Sequence, residues 1–324
     1  MTPPRIVFLD AATYGDVPLE AFTSQWDCTV HPVTRNAAEV CQRLRDHSVA
    51  VTNKVAMDQA VLNSAEARDL KLIAVAATGT DIIDREAAQK WDINVCNVPS
   101  YATQSVAQFT LALILELATH VGKYRQAVKL GAWQKSPVFA LLNHPSMELQ
   151  GKKLGIIGYG NIGRAVARMA RGFGLELLIA ARPGSTAPAA SGRTPLNQLL
   201  KQADIITLHC PLTAQTKDLI NEQTLSLMKP TAFLINTARG ALVDEAALIQ
   251  ALREKRLAGA ALDVISREPP PADHPVVQAA GELDNLLVTP HTAWSAREAR
   301  ERLLQEVREN IRAFFEGKPR NLVA

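Results

Sequence analysis

The chain has 324 residues, 47% of them hydrophobic, a length and composition that suit an ordinary globular protein of two domains, each able to bury its own core. Its 35 basic and 32 acidic residues leave a net charge of +3 with no basic block, which argues against nucleic acid as a partner and for something small. Cys28, Cys41, Cys96 and Cys210 lie far apart, with no CxxC and no Cys/His cluster at ligand spacing, so neither a metal site nor a disulfide framework is expected and a reducing cytoplasm fits best.

The opening MTPPRIVFLD runs almost at once into a strand and lacks the apolar stretch and cleavage site of a signal peptide. RIVFLD, CTVHPV, VAVTN, LKLIAVAAT and INVCNV are short apolar runs separated by helix-length segments, the pattern of a parallel sheet covered on both faces. SYATQSVAQFTLALILELATH, 100–120, then reads as a long helix joining two domains. Its greasiest stretch, LALILEL, contains Glu116 and falls far short of the ~20 residues that a membrane span needs, so burial inside the protein is expected and no membrane is implied.

Near residue 152 the alternation resumes with KLGIIGYG, LELLIAA, DIITLHC, TAFLINT, AGAALDV and NLLVTP, a second doubly wound sheet. PGSTAPAASGRTP, 183–195, has the composition of a surface loop. The closing AREARERLLQEVRENIRAFFEG gathers Leu303, Leu304, Val307, Ile311, Phe314 and Phe315 on one helical face, with Gly317 and Pro319 as stop signals. Because the second sheet is complete by about residue 290, this helix is expected to cross back onto the first domain. The expected division is 1–99 plus 293–324 for one domain and 100–292 for the other.

KKLGIIGYGNIGRAVARMARGFG places Gly158, Gly160 and Gly163, with Asn161 and Ile162 between them, directly after an apolar strand and at the mouth of a helix. In that context GxGxxG predicts a dinucleotide site: one glycine for the tight turn, one for approach of a pyrophosphate to the backbone, one for close helix packing. Ligands of open α/β sheets bind beyond the carboxyl ends of the strands. Three strands of the second domain present an ionisable group there: Arg239 after FLINTA, Glu268 past AALDVISR, and His291 after LLVTP. Read singly, they are a solvated turn residue, a surface carboxylate and a helix-start residue. Together they suit hydride transfer to a 2-keto acid: a guanidinium fork for the substrate carboxylate, a histidine to exchange the proton on oxygen, and a carboxylate to orient that histidine.

With those residues in view, INTARGALVDEAAL, AALDVISREPPP, TPHTAWSAREA and GYGNIG resemble the D-2-hydroxyacid dehydrogenase family over essentially the whole chain. The resemblance implies a flavodoxin-like substrate domain and a Rossmann nucleotide domain with the active site in the cleft between them. It also implies a homodimer, with Arg239, Glu268 and His291 as the catalytic set. It further implies that the backbone of Thr78, Gly79 and Thr80 meets the substrate, that Asp263 holds the nicotinamide carboxamide, and that Thr103 lies near the cofactor. TNKV, AATGTD, KQADIITLHCPLT and PHTAW are most similar to hydroxypyruvate and glyoxylate reductases, with another 2-keto acid such as 2-ketogluconate, or a corepressor-like NAD(H) binder, as the alternatives. Thr78 stands where phosphite-oxidising members carry lysine, and the family's VAEH reads VAQF here, with Gln108 and Phe109.

Two further expectations concern partners. An NAD site ordinarily has a carboxylate at the end of the second strand to take the ribose hydroxyls, but the 23rd residue after Gly158 is Ala181, followed by Arg182, with Ser185 and Thr186 close behind. NADPH is therefore expected over NADH. The segment 131–150 carries Trp133, Phe139, Leu141 and Leu142 with no helical or strand period, where the family has its dimerisation arm, so some of these are expected to pack on a second subunit.

Overall fold

In the computed structural model, which describes residues 3–182 and 192–324, every apolar run named above becomes a strand. The first five are β1 (Arg5–Phe8), β2 (Asp27–Val30), β3 (Val49–Thr52), β4 (Leu72–Val75) and β5 (Asn94–Cys96). They form one sheet in the order β2-β1-β3-β4-β5, and all of its ladders are parallel. β3 and β4 are buried along their whole length, as strands with helices on both faces must be.

The second series gives β6 (Lys153–Ile157), β7 (Glu176–Ile179), β8 (Ile205–Leu208), β9 (Phe233–Asn236), β10 (Gly259–Leu262) and β11 (Leu286–Val288). Their order, β11-β10-β9-β8-β6-β7, is again wholly parallel. After β6 the chain goes to one side for β7 and to the other for β8, so the topological switch point falls between β6 and β8. That is where such a sheet opens a crevice for a ligand.

The chain divides into two compact units, Met1–Ala102 with Ser295–Ala324, and Thr103–Trp294. The helix Thr103–Thr119 belongs to the second. It buries Ala107, Leu111, Leu113, Ile114 and Leu117 in a core shared with β6 and β9, and Thr110 Oγ1 lies 3.1 Å from Thr237 Oγ1 beyond β9. No single helix among the described residues is long and apolar enough to cross a membrane.

The last helix, Arg297–Phe315, belongs to the first unit. Leu303, Leu304, Val307 and Ile311 are buried as the periodicity predicts, whereas Phe314 and Phe315 are only half-buried and pack edge to face on each other. Asn310 on the same helix is buried because its side chain has a job: Nδ2 donates to the Asn97 carbonyl, and Oδ1 accepts from Asn321. The chain beyond the helix then lies along β5, with Val323 donating to Val95 and Val95 to Ala324. Ile311→Ala is expected to cost roughly 2–5 kcal/mol through lost burial and the cavity left behind. Equilibrium unfolding in urea measures it, and a cost well under 1 kcal/mol would contradict the packing of this helix.

Candidate active site

Each glycine of the β6 turn meets a different steric demand. Gly158 has φ +97°, and a side chain there would come within 2.3 Å of the Cys210 nitrogen, because the turn lies against the chain leaving β8. A side chain at Gly163 would strike the Gly158 carbonyl oxygen at 2.1 Å, so the helix Asn161–Arg171 can approach the turn only without one. A side chain at Gly160 would meet nothing within 4 Å: the space in front of the helix N-terminus is open. Gly160 is also the N-cap and supplies no side-chain acceptor for the first turn, so backbone donors there remain available to an anion. The cradle fits a pyrophosphate. Asn161 and Ile162 open the helix; Asn161 Oδ1 accepts from Arg164, and Ile162 packs on the neighbouring core.

At the same sheet edge β9, β10 and β11 lie side by side, with Asn236, Leu262 and Val288 in register at their carboxyl ends. The three residues that follow them, Arg239, Glu268 and His291, therefore leave one edge of one sheet. His291 Nδ1 lies 2.5 Å from Glu268 Oε2, and the other carboxylate oxygen of Glu268 accepts from the Ile265 backbone N–H at 2.9 Å. A carboxylate only accepts, so Nδ1 carries a proton and Nε2 is the nitrogen left for exchange with a substrate.

The turn at Arg239 is tied to the Glu268 loop by its glycine. A side chain on Gly240 would fall 2.0 Å from the Ile265 carbonyl carbon, so the dipeptide Arg239–Gly240 lets the two loops touch backbone to backbone. Arg239 itself is half-buried, with Nη1 donating to the Ala238 carbonyl at 2.9 Å, while Asn236 Nδ2 holds the Arg239 carbonyl. Glu245 closes the loop from the far side, accepting from both the backbone N–H and the hydroxyl of Ser266.

Asp263 is 1% exposed, and its carboxylate organises the loop that bears the histidine. Oδ1 accepts from Thr289 Oγ1 at 2.7 Å and from the Thr292 N–H at 2.9 Å, and Oδ2 accepts from the Ala293 N–H at 2.9 Å. The backbone of His291, with φ +53°, is held in the left-handed region by bonds from its N–H to the Asp263 and Thr289 carbonyls. Ser105 on the helix Thr103–Thr119 donates to the Ala293 carbonyl, which anchors the end of the same loop.

In the first unit, Thr78, Gly79 and Thr80 follow β4. Thr78 Oγ1 donates to Val98, Asn97 donates to the Thr78 carbonyl, and the Thr80 carbonyl accepts from Ile83. Ala181 and Arg182 follow β7, the first half-buried and the second exposed. Ser185 and Thr186 lie outside the described residues. Among the described residues no cluster of His, Cys, Asp and Glu is arranged to hold a metal.

Sequence reasoning missed a fourth strand end. His209 follows β8 beside the Gly158 turn; its Nε2 lies 3.0 Å from Thr207 Oγ1, and its enclosed Nδ1 has no hydrogen-bond partner among the described residues. Burial pushes this imidazole down to about 3, so it is neutral at physiological pH. Burial likewise pushes the adjoining Cys210 thiol up to about 11, which removes it as a nucleophile. A histidine at the end of DIITLHC was the only signal in the sequence, and nothing there distinguished it from an ordinary core residue.

A doubly wound sheet with a pyrophosphate cradle at its switch point and an Arg, Glu and His set at the same edge defines a dinucleotide-dependent oxidoreductase. The family model for the D-isomer specific 2-hydroxyacid dehydrogenase NAD binding domain matches residues 111–293. The chain is 39% identical to a glycerate dehydrogenase of Methylorubrum extorquens, over 98% of each chain. It is 35% identical to a hydroxypyruvate reductase of Blautia hydrogenotrophica, over 98% of this chain and 99% of the other. Among solved structures, an acyclic imino acid reductase in complex with NADPH and D-Arg superposes with a TM-score of 0.85 at 29% identity, covering 99% of this chain and 100% of that one. The chain belongs to the D-isomer specific 2-hydroxyacid dehydrogenase family.

Because the unfolded chain takes up a proton at His209 near pH 6.5 and the folded chain only near 3, the stability this residue contributes is complete above pH 6.5 and is lost as pH falls toward 3. Urea unfolding at pH 7, 5.5 and 4.5 is expected to show that decline, and His209→Gln to make it shallower. Parallel declines in the two proteins would mean that the imidazole is not held neutral.

Proposed function

We propose that this dehydrogenase reduces a small 2-keto acid, hydroxypyruvate before glyoxylate, to the D-2-hydroxy acid, with NADPH preferred to NADH. The observation that carries the reading is the contact of His291 Nδ1 with Glu268, at the end of strands whose neighbour delivers Arg239. The reduced nicotinamide, when bound, supplies the hydride. Arg239 pairs with the substrate carboxylate as a planar fork and polarises the adjacent carbonyl. His291 gives a proton from Nε2 to the carbonyl oxygen, while Glu268 keeps the ring in orientation and in the right tautomer.

Asp263 acts here as a positioning residue through the 289–293 loop, besides the contact to the nicotinamide carboxamide that the family resemblance implies. The family resemblance further assigns the backbone of Thr78, Gly79 and Thr80 to the substrate and Thr103 to the cofactor. Hydroxypyruvate is favoured because two relatives that match nearly end to end are named for glycerate and hydroxypyruvate. NADPH is favoured by Ala181, which leaves no carboxylate at the end of β7 to repel a 2′-phosphate, and the imino acid reductase neighbour was solved with that cofactor.

The reading extends to assembly and compartment. Trp133, Phe139 and Leu142 are 53%, 92% and 83% exposed, a costly display of apolar surface that a second copy of the chain would cover. Leu141 is half-buried already. The four cysteines are all free, which suits the cytoplasm.

A panel of 2-keto acids followed by nicotinamide absorbance tests the central claim, with hydroxypyruvate expected to give the highest kcat/KM. His291→Ala is expected to lower kcat by roughly 10² to 10⁴-fold. Arg239→Lys should lose most activity, since a point charge does not replace a bidentate contact, and Glu268→Gln should lower kcat more than it raises KM. Folded variants with near-unchanged turnover would refute the assignment of roles. Light scattering at micromolar concentration is expected to give twice the chain mass; a monomer would dispose of the apolar-arm interface.

A further inference from the structure

The chain from Gly192 onward returns to the second sheet. Thr194 forms a parallel bridge with Ala180; its N–H donates to the Ile179 carbonyl at 2.7 Å, and its carbonyl accepts from the Ala181 N–H at 2.8 Å. This short pairing extends the sheet by one step beyond β7 and fixes the backbone at Arg193. The Arg193 side chain reaches the carboxyl end of β7, where Nη1 donates to the Ala180 carbonyl at 3.2 Å. Its guanidinium also lies over the ring of Tyr159, 5.1 Å from the centroid. Tyr159 belongs to the glycine turn, and its ring packs on the core beside β6. A cation is thereby pinned between the end of β7 and the pyrophosphate cradle, the place where a doubly wound dinucleotide fold receives the adenosine ribose.

Among the described residues no carboxylate pairs with this guanidinium, and the strand end beside it reads Ala180–Ala181–Arg182. One of its five N–H donors is taken by Ala180, so the others remain for an acceptor with several oxygens. We infer that Arg193, rather than Arg182, is the main ligand of the 2′-phosphate on the adenosine ribose. This rests on the NADPH reading above and names the residue that enforces it. The choice between the two arginines follows from preorganisation. Arg182 is exposed and must surrender rotamer freedom to hold a phosphate, whereas Arg193 is already positioned by a carbonyl and an aromatic face.

The test compares wild type, Arg193→Ala, Arg193→Lys and Arg182→Ala in two ways: kcat/KM with NADPH and with NADH, and direct calorimetric binding of 2′,5′-ADP against 5′-AMP. In Arg193→Ala the NADPH-to-NADH ratio is expected to fall about 10- to 100-fold, as for loss of a charge-assisted contact, with a matching loss of 2′,5′-ADP affinity. Arg193→Lys should recover part of it, and Arg182→Ala should change the ratio less than about threefold. A wild type that favours NADPH while Arg193→Ala keeps its ratio, or while Arg182→Ala carries the loss, overturns this inference alone. A wild type that favours NADH overturns the cofactor reading and this inference with it. Circular dichroism melts confirm that each variant is folded before its ratio is read.

Discussion

A carboxylate taken almost wholly out of water sets the geometry of this site. Burying Asp263 is costly unless its oxygens are well supplied with donors, and the donors come from Thr289, Thr292 and Ala293, on either side of His291. The same interaction that compensates the burial thus bends the chain beyond β11 and holds the histidine in a backbone conformation that side chains other than glycine rarely adopt. Glu268 then meets a ring whose position is already decided. Without the Asp263 carboxylate the loop that carries His291 would lose three of the bonds that fix it.

The loop beyond β10 is constrained in the same spirit from several directions. Glu268 reaches back to its own Ile265 N–H, Glu245 grips Ser266, and Gly240 lets the arginine turn lie directly on Ile265. Each functional residue leaves a rigid parallel strand and is then fixed by contacts to the neighbouring loop. A sheet edge gives approximate convergence, and these backbone contacts refine it to the hydrogen-bond distance between His291 and Glu268. The nucleotide cradle follows the same logic at β6 and β8, where Gly158 is pressed against the chain leaving β8.

Much of this was legible in the sequence because the inner strands, β3, β4, β8, β9 and β10, are buried along their length and so appear as apolar runs, and because strand ends carry ionisable residues that a core would not tolerate. GYGNIG, the arginine after FLINTA and the histidine after LLVTP stand out for that reason. What escaped was set by tertiary approach. Nothing local marks Asp263 as the organiser of residues 30 positions away, or His209 as an imidazole enclosed behind the glycine turn. Arg193 looked like part of a featureless Pro, Gly and Ser-rich stretch, and only its bond to the Ala180 carbonyl and its place over Tyr159 give it a role. Phe314 and Phe315 show the opposite limit: helical periodicity marked both for burial, yet at the helix end both are only half-buried, their rings meeting edge to face.

The first unit is assembled from both ends of the sequence, and that imposes an order on biosynthesis. β5 is an edge strand, and residues 322–324 lie along it. While the ribosome is still producing the middle of the chain, that edge and the β4 face that receives the helix Arg297–Phe315 have no cover, a state in which unpaired strands recruit other chains. The unit encoded second, Thr103–Trp294, has all its residues available before the unit encoded first does. The nascent protein therefore finishes its nucleotide-binding half while its beginning still waits for its last residues.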